Sequence, residues 1–193
     1  MPAHRHFKLF KPYGFISQFV SREKKQYKKK YLGELFPFPE GSMSIGRLDE
    51  KSEGLLLLTT DGNESHALRS KKVEKEYYVQ VDGLITELAL SQLANGVKIG
   101  FHGKKYTTLP CKAEHLKIVP TFPERAKKIR DERHGPTSWV TIIITEGKYR
   151  QVRKMTAAVG FPTLRLVRVR VGNEELGTME PGESIEVDSF NYL

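Results

Sequence analysis

The residues best suited to chemistry stand in one stretch, Gly46-Arg47-Leu48-Asp49-Glu50-Lys51-Ser52-Glu53-Gly54, which runs straight into Leu55-Leu56-Leu57-Leu58-Thr59. Asp49 is a carboxylate on a polar loop with an arginine two positions before it. A carboxylate beside a guanidinium stays ionised when water is excluded, and desolvation makes it a stronger nucleophile or electrostatic stabiliser. An isolated Arg-Leu-Asp more often caps a turn and pairs within itself, so the chemical reading depends on what else the chain supplies. Two further groups stand out: the pair Tyr77 and Tyr78, where a ring could stack on a nucleobase and offer its hydroxyl, and the arginines Arg150 and Arg153.

Other chemistries lack their residues. No Walker-type glycine loop, Gly-x-Ser-x-Gly elbow or His-Glu-x-x-His helix occurs. His4 and His6 lie near the start, and His66, His102, His115 and His134 are scattered without metal-ligand spacing. Cys111 is the only cysteine, so an internal disulfide and a multi-cysteine zinc site are excluded, and it reads as a small buried residue. An aspartyl phosphotransferase would need a second carboxylate to hold Mg²⁺ beside the nucleophile.

The elements that must position these groups follow from periodicity and breakers. Residues 6–11 alternate and stop at Pro12-Tyr13-Gly14, a strand and a turn. The apolar run after Gly54 is short and tightly bounded, which favours a buried strand, although a helix segment shares its lack of periodicity. Asn63 is placed to cap a short helix to about Leu68. Residues 75–82 form a strand rich in aromatic and β-branched side chains. Thr86 caps a helix ended by Gly96. Residues 120–136 read as a charged excursion, ordered on binding. Residues 139–145 return to strand, and a helix from near Tyr149 to Val159 puts Val152, Met155 and Val159 toward the core and Arg150 and Arg153 on another face. In residues 164–171 apolar side chains alternate with Arg165, Arg168 and Arg170, as in a strand with one buried and one basic side. Strands and helices mix without strict alternation, which favours α+β over a doubly wound sheet.

The chain has 193 residues, with Lys plus Arg at 32 against 23 for Asp plus Glu, a net charge of +9. That excess points to a polyanion, nucleic acid first, because cations laid along phosphates release counterions. The densest basic run spans residues 22–30 and contains Lys28, Lys29 and Lys30; it reads either as a solvated surface loop or as an arm on phosphates, with Tyr27 able to stack on a base. Lys11 reads as the solvated end of a strand or as a structural or RNA-contacting group, and Arg47 as a loop support or phosphate contact. No stretch has the length of a signal peptide or a bilayer span, so a cytoplasmic protein is expected.

Gly46-Arg47-Leu48-Asp49-x-x-Ser52-Glu53-Gly54-Leu55-Leu56, the strand Lys75-x-Tyr77, and Glu146-Gly147-Lys148-Tyr149-Arg150-Gln151-Val152-Arg153-Lys154-Met155 resemble, in order, the signature blocks of the pseudouridine synthases of small- and large-subunit ribosomal RNA. Lys11-Pro12-Tyr13-Gly14 and residues 164–172 also look like that family. The resemblance implies a pseudouridine synthase fold: a mainly antiparallel sheet in two halves, helices packed behind, and a central catalytic cleft. One catalytic domain over residues 1–193, in two intimately joined halves, is expected, and unlike many members no N-terminal S4-type RNA-binding domain is expected before the Lys-Pro turn; residues 22–30 and 125–133 would supply affinity instead. Carried over by position, it makes Asp49 the catalytic carboxylate, has Tyr77 contact the flipped uracil and Arg153 pair with Asp49, and gives Leu166 a part in closing the pocket. Arg150 and Arg168 are expected RNA contacts. No cofactor or metal is implied. Pro136-Thr137-Ser138-Trp139 and residues 159–166 are most similar to members acting on the large subunit, so 23S ribosomal RNA is the expected partner of a monomer. The alternative is a non-catalytic RNA-binding or ribosome-assembly protein on the same fold, which explains the charge and aromatics but gains little from an acid in a phosphate-facing cleft.

Overall fold

A computed structural model of the chain describes residues 3–20, 29–70 and 73–191. The chain divides into two compact units, one comprising Met1–Val73, Pro123–Lys127 and Arg168–Leu193, the other Glu74–Phe122 and Lys128–Val167. The first unit holds strands β1 (His6–Lys11), β2 (Phe15–Ile16), β3 (Lys30–Tyr31), β4 (Met43–Ile45) and β5 (Glu53–Thr59), and helix α1 (Gly62–Ser70). The second holds β6 (Lys75–Asp82), α2 (Glu87–Asn95), β7 (Lys98–Phe101), β8 (Lys104–Thr107), β9 (Lys112–His115), β10 (Thr137–Ile144) and α3 (Gln151–Ala158). The strand β11 (Thr163–Val171) gives residues to both, and β12 (Glu174–Glu175) and β13 (Ser184–Val187) return to the first.

In the first unit every residue of β5 is buried, as expected of a continuous apolar strand covered on both faces. β1 lies antiparallel along it from Thr59 to Gly54, His6 opposite Thr59 and Lys11 opposite Gly54. With that edge taken, β4 pairs along the other, Met43 opposite Thr59 and Ile45 opposite Leu57. β13 closes the outer edge of β1, His6 facing Val187 and Leu9 facing Ser184. Pro12, which has no N–H to offer a ladder, follows the last residue of β1. Phe7 packs edge-on to Phe38, which also meets Phe19 and Phe36.

In the second unit the strand order is β11-β6-β10-β9. β6 and β10 are antiparallel, Lys75 facing Ile144 and Asp82 facing Thr137. Tyr77, Val79 and Val81 are buried on alternate positions of β6, and Ile142 and Val140, the cross-strand partners of Tyr77 and Val79, are buried with them. Helix α2 starts at Thr86, whose hydroxyl accepts from the Ala89 N–H at 3.2 Å, and turns Leu90 and Leu93 inward. In α3 the buried positions are Gln151, Val152, Met155 and Thr156.

The architecture is α+β, as expected, with several local corrections. The cap of α1 is Asp61, whose carboxylate accepts from the Asn63 N–H at 2.8 Å; Asn63 lies inside the helix. The 120–136 excursion is anchored rather than awaiting a partner. Phe122 packs on Tyr78 and Trp139, while Arg130 pairs with Asp82 and donates to the carbonyl of Gly135 at 2.7 Å. Helix α3 begins at Gln151, and Arg150 sits before it in the left-handed region, φ 53° and ψ 34°, so Arg150 and Arg153 do not share a helix face. The arginines of β11 do not form a basic side either, because Arg165 and Arg168 are both buried. Among the described residues no helix is long and apolar enough to cross a membrane.

Candidate active site

The Asp49 loop leaves β4 through Gly46, at φ 72°, and re-enters the sheet at Glu53. Arg47 is exposed, Leu48 is buried and Asp49 is half-buried, so the loop inserts one apolar side chain and leaves the residues on either side reachable from solvent. The backbone is pinned at successive positions. Leu48 exchanges hydrogen bonds with the hydroxyl of Ser17, the N–H of Gly14 donates to the carbonyl of Glu50 at 2.8 Å, and the N–H of Ser52 donates to the carbonyl of Asp49 at 3.0 Å. Glu50 also pairs with Lys29. A carboxylate on a loop fixed in this way is preorganised, with little conformational freedom left to lose when a substrate arrives.

Beneath the loop lies Lys11, with no exposed surface. It follows Phe7 and Leu9 at strand spacing and so points to their face, and its ammonium donates to the carbonyls of Phe15 at 2.6 Å and Pro12 at 2.9 Å. Burial pushes this lysine down to about 7, opposed by the charges of Glu53, Asp49 and Glu50 and reinforced by Arg168. Of the roles left open for Lys11, a solvated strand end, a structural group or an RNA contact, the structure gives it the structural one, as a brace for the Pro12–Phe15 turn. A folded lysine that holds its proton less tightly than the ordinary value of 10.5 makes stability rise with pH between about 7 and that value, where the unfolded chain binds the extra proton. Guanidinium unfolding at pH 7, 8 and 9 should show this rise in the wild type, up to about 1.4 kcal/mol per pH unit, and should show it flattened in Lys11→Met. Equal slopes in the two proteins would assign the pH dependence elsewhere.

Arg168 is corrected in the same way. It is buried, its Nε donates to the carbonyl of Leu55 at 2.8 Å, and its buried Nη2 has no hydrogen-bond partner among the described residues. It ties β11 to β5 and is not displayed to a polynucleotide. Of the basic run, Lys29 reaches Glu50 and Lys30 lies over the Phe15 ring at 5.5 Å, while Lys28 and Tyr27 lie outside the described residues.

The second unit carries the remaining candidates. Tyr77 is buried on β6, and Tyr78, on the opposite face, is half-buried against Phe122. Leu166 is buried in β11. Arg153 is half-buried on α3, one Nη donating to the carbonyl of Thr163 at 3.5 Å. The turn that leads into this helix is built around Glu146. Glu146 accepts from Tyr106 Oη at 2.5 Å, the Leu109 N–H at 2.8 Å and Gln151 Nε2 at 2.6 Å, and Gln151 Oε1 accepts from the Lys148 N–H at 2.9 Å. Acceptance by the carboxylate also raises the Tyr106 hydroxyl above its ordinary value. With Arg150 in the left-handed region, this network sets where α3 starts and so where Arg153 stands on it.

The family described as RNA pseudouridylate synthase matches residues 6–158 of this chain. The chain belongs to that family. The match includes the Lys11-Pro12, Asp49, Tyr77 and Arg153 blocks and stops before β11. Ribosomal large subunit pseudouridine synthase E of Xanthomonas campestris pv. campestris is 42% identical to this pseudouridylate synthase over 177 residues, 91% of each chain. The protein of the same description from Vibrio parahaemolyticus is also 42% identical, over 92% of this chain and 71% of its own. A solved structure described as a pseudouridylate synthase superposes with a TM-score of 0.74 at 29% identity, covering 97% of this chain and 71% of that one. The fold is thus the pseudouridylate synthase fold, and the chain is a pseudouridine-forming enzyme by family.

Proposed function

We propose that this pseudouridylate synthase isomerises a uridine of large-subunit 23S ribosomal RNA, with Asp49 as the catalytic carboxylate. The observation that carries the reading is the order of blocks: the family match encloses the Asp49 loop, Tyr77 and Arg153 in one sweep, in a chain similar over nearly its whole length to relatives described as large-subunit enzymes. In the reaction the C1′–N1 glycosidic bond breaks, the uracil turns while held, and C5 bonds to C1′ as its proton passes to solvent and N1 takes one up. Atoms and electrons balance within the nucleotide, so no cofactor or co-substrate is called for.

A uridine stacked in folded RNA has to be extruded before a half-buried carboxylate can reach its sugar, at a cost of a few kcal/mol unless the strand is already open. Phosphate contacts from a chain of net charge +9 can offset that cost. Arg47, exposed two positions before Asp49, is the first candidate for such a contact, followed by Arg150, Lys29 and Lys30. Tyr77 is assigned to the uracil, Leu166 to the pocket wall and Arg153 to the charge of the carboxylate, by their places in the family blocks. The protein is expected to act as a cytoplasmic monomer.

The test is pseudouridine mapping of large-subunit ribosomal RNA, free and in assembling particles, after incubation with the protein. Conversion at one uridine is the expected result. Tight RNA binding without conversion in either substrate would instead identify a non-catalytic RNA-binding protein on this fold. Arg153→Ala should lower turnover by about a hundredfold, the order found when one charge-stabilising donor is lost, and a rate equal to wild type in the same assay would remove Arg153 from the chemistry.

A further inference from the structure

Asp49 is bracketed by one short segment from much earlier in the chain. On its N-terminal side, Ser17 Oγ donates to the carbonyl of Leu48 at 2.9 Å and accepts from the N–H of the same residue at 2.9 Å. On its C-terminal side, the Gly14 N–H donates to the carbonyl of Glu50 at 2.8 Å. The two brackets differ in kind. The Gly14 bond is backbone to backbone, available to almost any residue, whereas the Ser17 bonds require a hydroxyl of this length.

A serine hydroxyl has one proton to give and lone pairs to accept with, and here both functions are directed at a single residue. The Leu48 carbonyl belongs to the peptide plane shared with Asp49, and the Leu48 N–H to the plane shared with Arg47. Holding both planes fixes the backbone dihedrals of Leu48 and the plane from which the Asp49 Cα–Cβ bond departs. Leu48 is further immobilised by its own buried side chain, 5% exposed, and Ser17 by burial at 8% and by Ser44 Oγ, which donates to its carbonyl at 3.3 Å. Behind it, the Lys11 ammonium holds the carbonyls of Pro12 and Phe15.

We propose that Ser17 is a positioning residue for the isomerisation: its hydroxyl aims the Asp49 carboxylate by clamping Leu48 from both sides. The inference rests on the reading of Asp49 as the catalytic group. It differs from a packing role in what it changes, since a displaced carboxylate slows the chemical step while leaving RNA contacts in place, and a misplacement near 1 Å costs about a hundredfold.

The experiment is single-turnover kinetics of uridine conversion with the full chain, wild type against Ser17→Ala, Ser17→Cys and Ser17→Thr, at a temperature where circular dichroism shows each fully folded. Ser17→Ala is expected to lose about ten- to a hundredfold in the chemical rate constant, with KM or RNA affinity within about twofold of wild type. Ser17→Thr, which keeps the hydroxyl, should recover most of the loss. A Ser17→Ala protein that melts lower but converts at the wild-type rate when folded would overturn the proposal and leave Ser17 a structural residue. So would equal rate losses in the alanine and threonine variants. If Ser17→Ala does not fold, Ser17→Cys decides: its weaker, longer bonds should give an intermediate rate, and an unchanged rate would overturn the proposal. A wild-type protein that converts no uridine in free RNA or particles removes the reading of Asp49 and this inference together, whereas an active wild type with an indifferent Ser17 removes only the latter.

Discussion

Asp49→Asn should abolish pseudouridine formation, lowering turnover by more than about a thousandfold, equivalent to about 4 kcal/mol of barrier, while melting temperature and RNA affinity stay near wild type. Asparagine keeps the size of the side chain and removes its charge and nucleophilicity. The hydrogen bonds by which Ser17, Gly14 and Ser52 fix the loop run to backbone atoms of Leu48, Asp49 and Glu50 and are not altered by the substitution. The measurement is pseudouridine mapping with both proteins on the same RNA, beside a filter-binding titration. Turnover within tenfold of wild type would hand the chemistry to another group. Loss of RNA binding in parallel with activity would make Asp49 a determinant of the fold or of the RNA contact.

The second large effect is on stability and sits five residues later. Gly54 has φ 106°, a conformation that side chains rarely adopt, and a Cβ placed there would lie 2.3 Å from the carbonyl oxygen of Arg168 and 2.6 Å from its nitrogen. The obstructing atoms are backbone of β11, held in place by the Arg168 side chain on the carbonyl of Leu55. Neither strand can yield without breaking its ladder. Gly54→Ala is therefore expected to destabilise the protein by about 3 kcal/mol or more, from overpacking and a strained dihedral together, which for a chain of this length lowers the melting temperature by about 6–12 °C. A Gly54→Ala protein melting within about 2 °C of wild type would show that the strands can separate at this point.

These two residues were not equally visible in the sequence. Asp49 was legible because its neighbours form a recognisable block, whereas Gly54 read only as the boundary of the apolar run, and the close approach of the Arg168 backbone shows only in the packing. The strands β1 and β6 were bounded correctly because alternation ends at a proline in one and at Asp82-Gly83 in the other. Lys11 was left open between a solvated end and a structural or RNA-contacting role, although the signal for the structural one was present: Phe7, Leu9 and Lys11 share one face of a strand, and the first two are core residues. The arginines of β11 misled for a related reason. Arg165 falls on the opposite parity from Arg168 and Arg170, so no single basic face was available to them. Arg150 offered no signal, since a left-handed residue before a helix leaves no trace in hydrophobic period. Ser17 was silent because its partner Leu48 lies 31 residues away, and Glu146 was legible only as the head of a family block because its partners Tyr106 and Leu109 lie tens of residues away.

The pairing of β1 with β13 has a consequence for how the protein comes into being. The first unit is completed by strands far apart in sequence, His6 facing Val187. During synthesis β1 and β5 can zip together early, but the outer edge of β1 stays open until β13 emerges. Until then the nascent first unit carries an apolar strand with an unsatisfied ladder, the kind of edge that recruits other chains. Long-range closure of this sort is slow. The folding of this unit thereby waits for β13 to emerge, and overproduction should show edge-to-edge aggregation of chains stalled or truncated before Ser184.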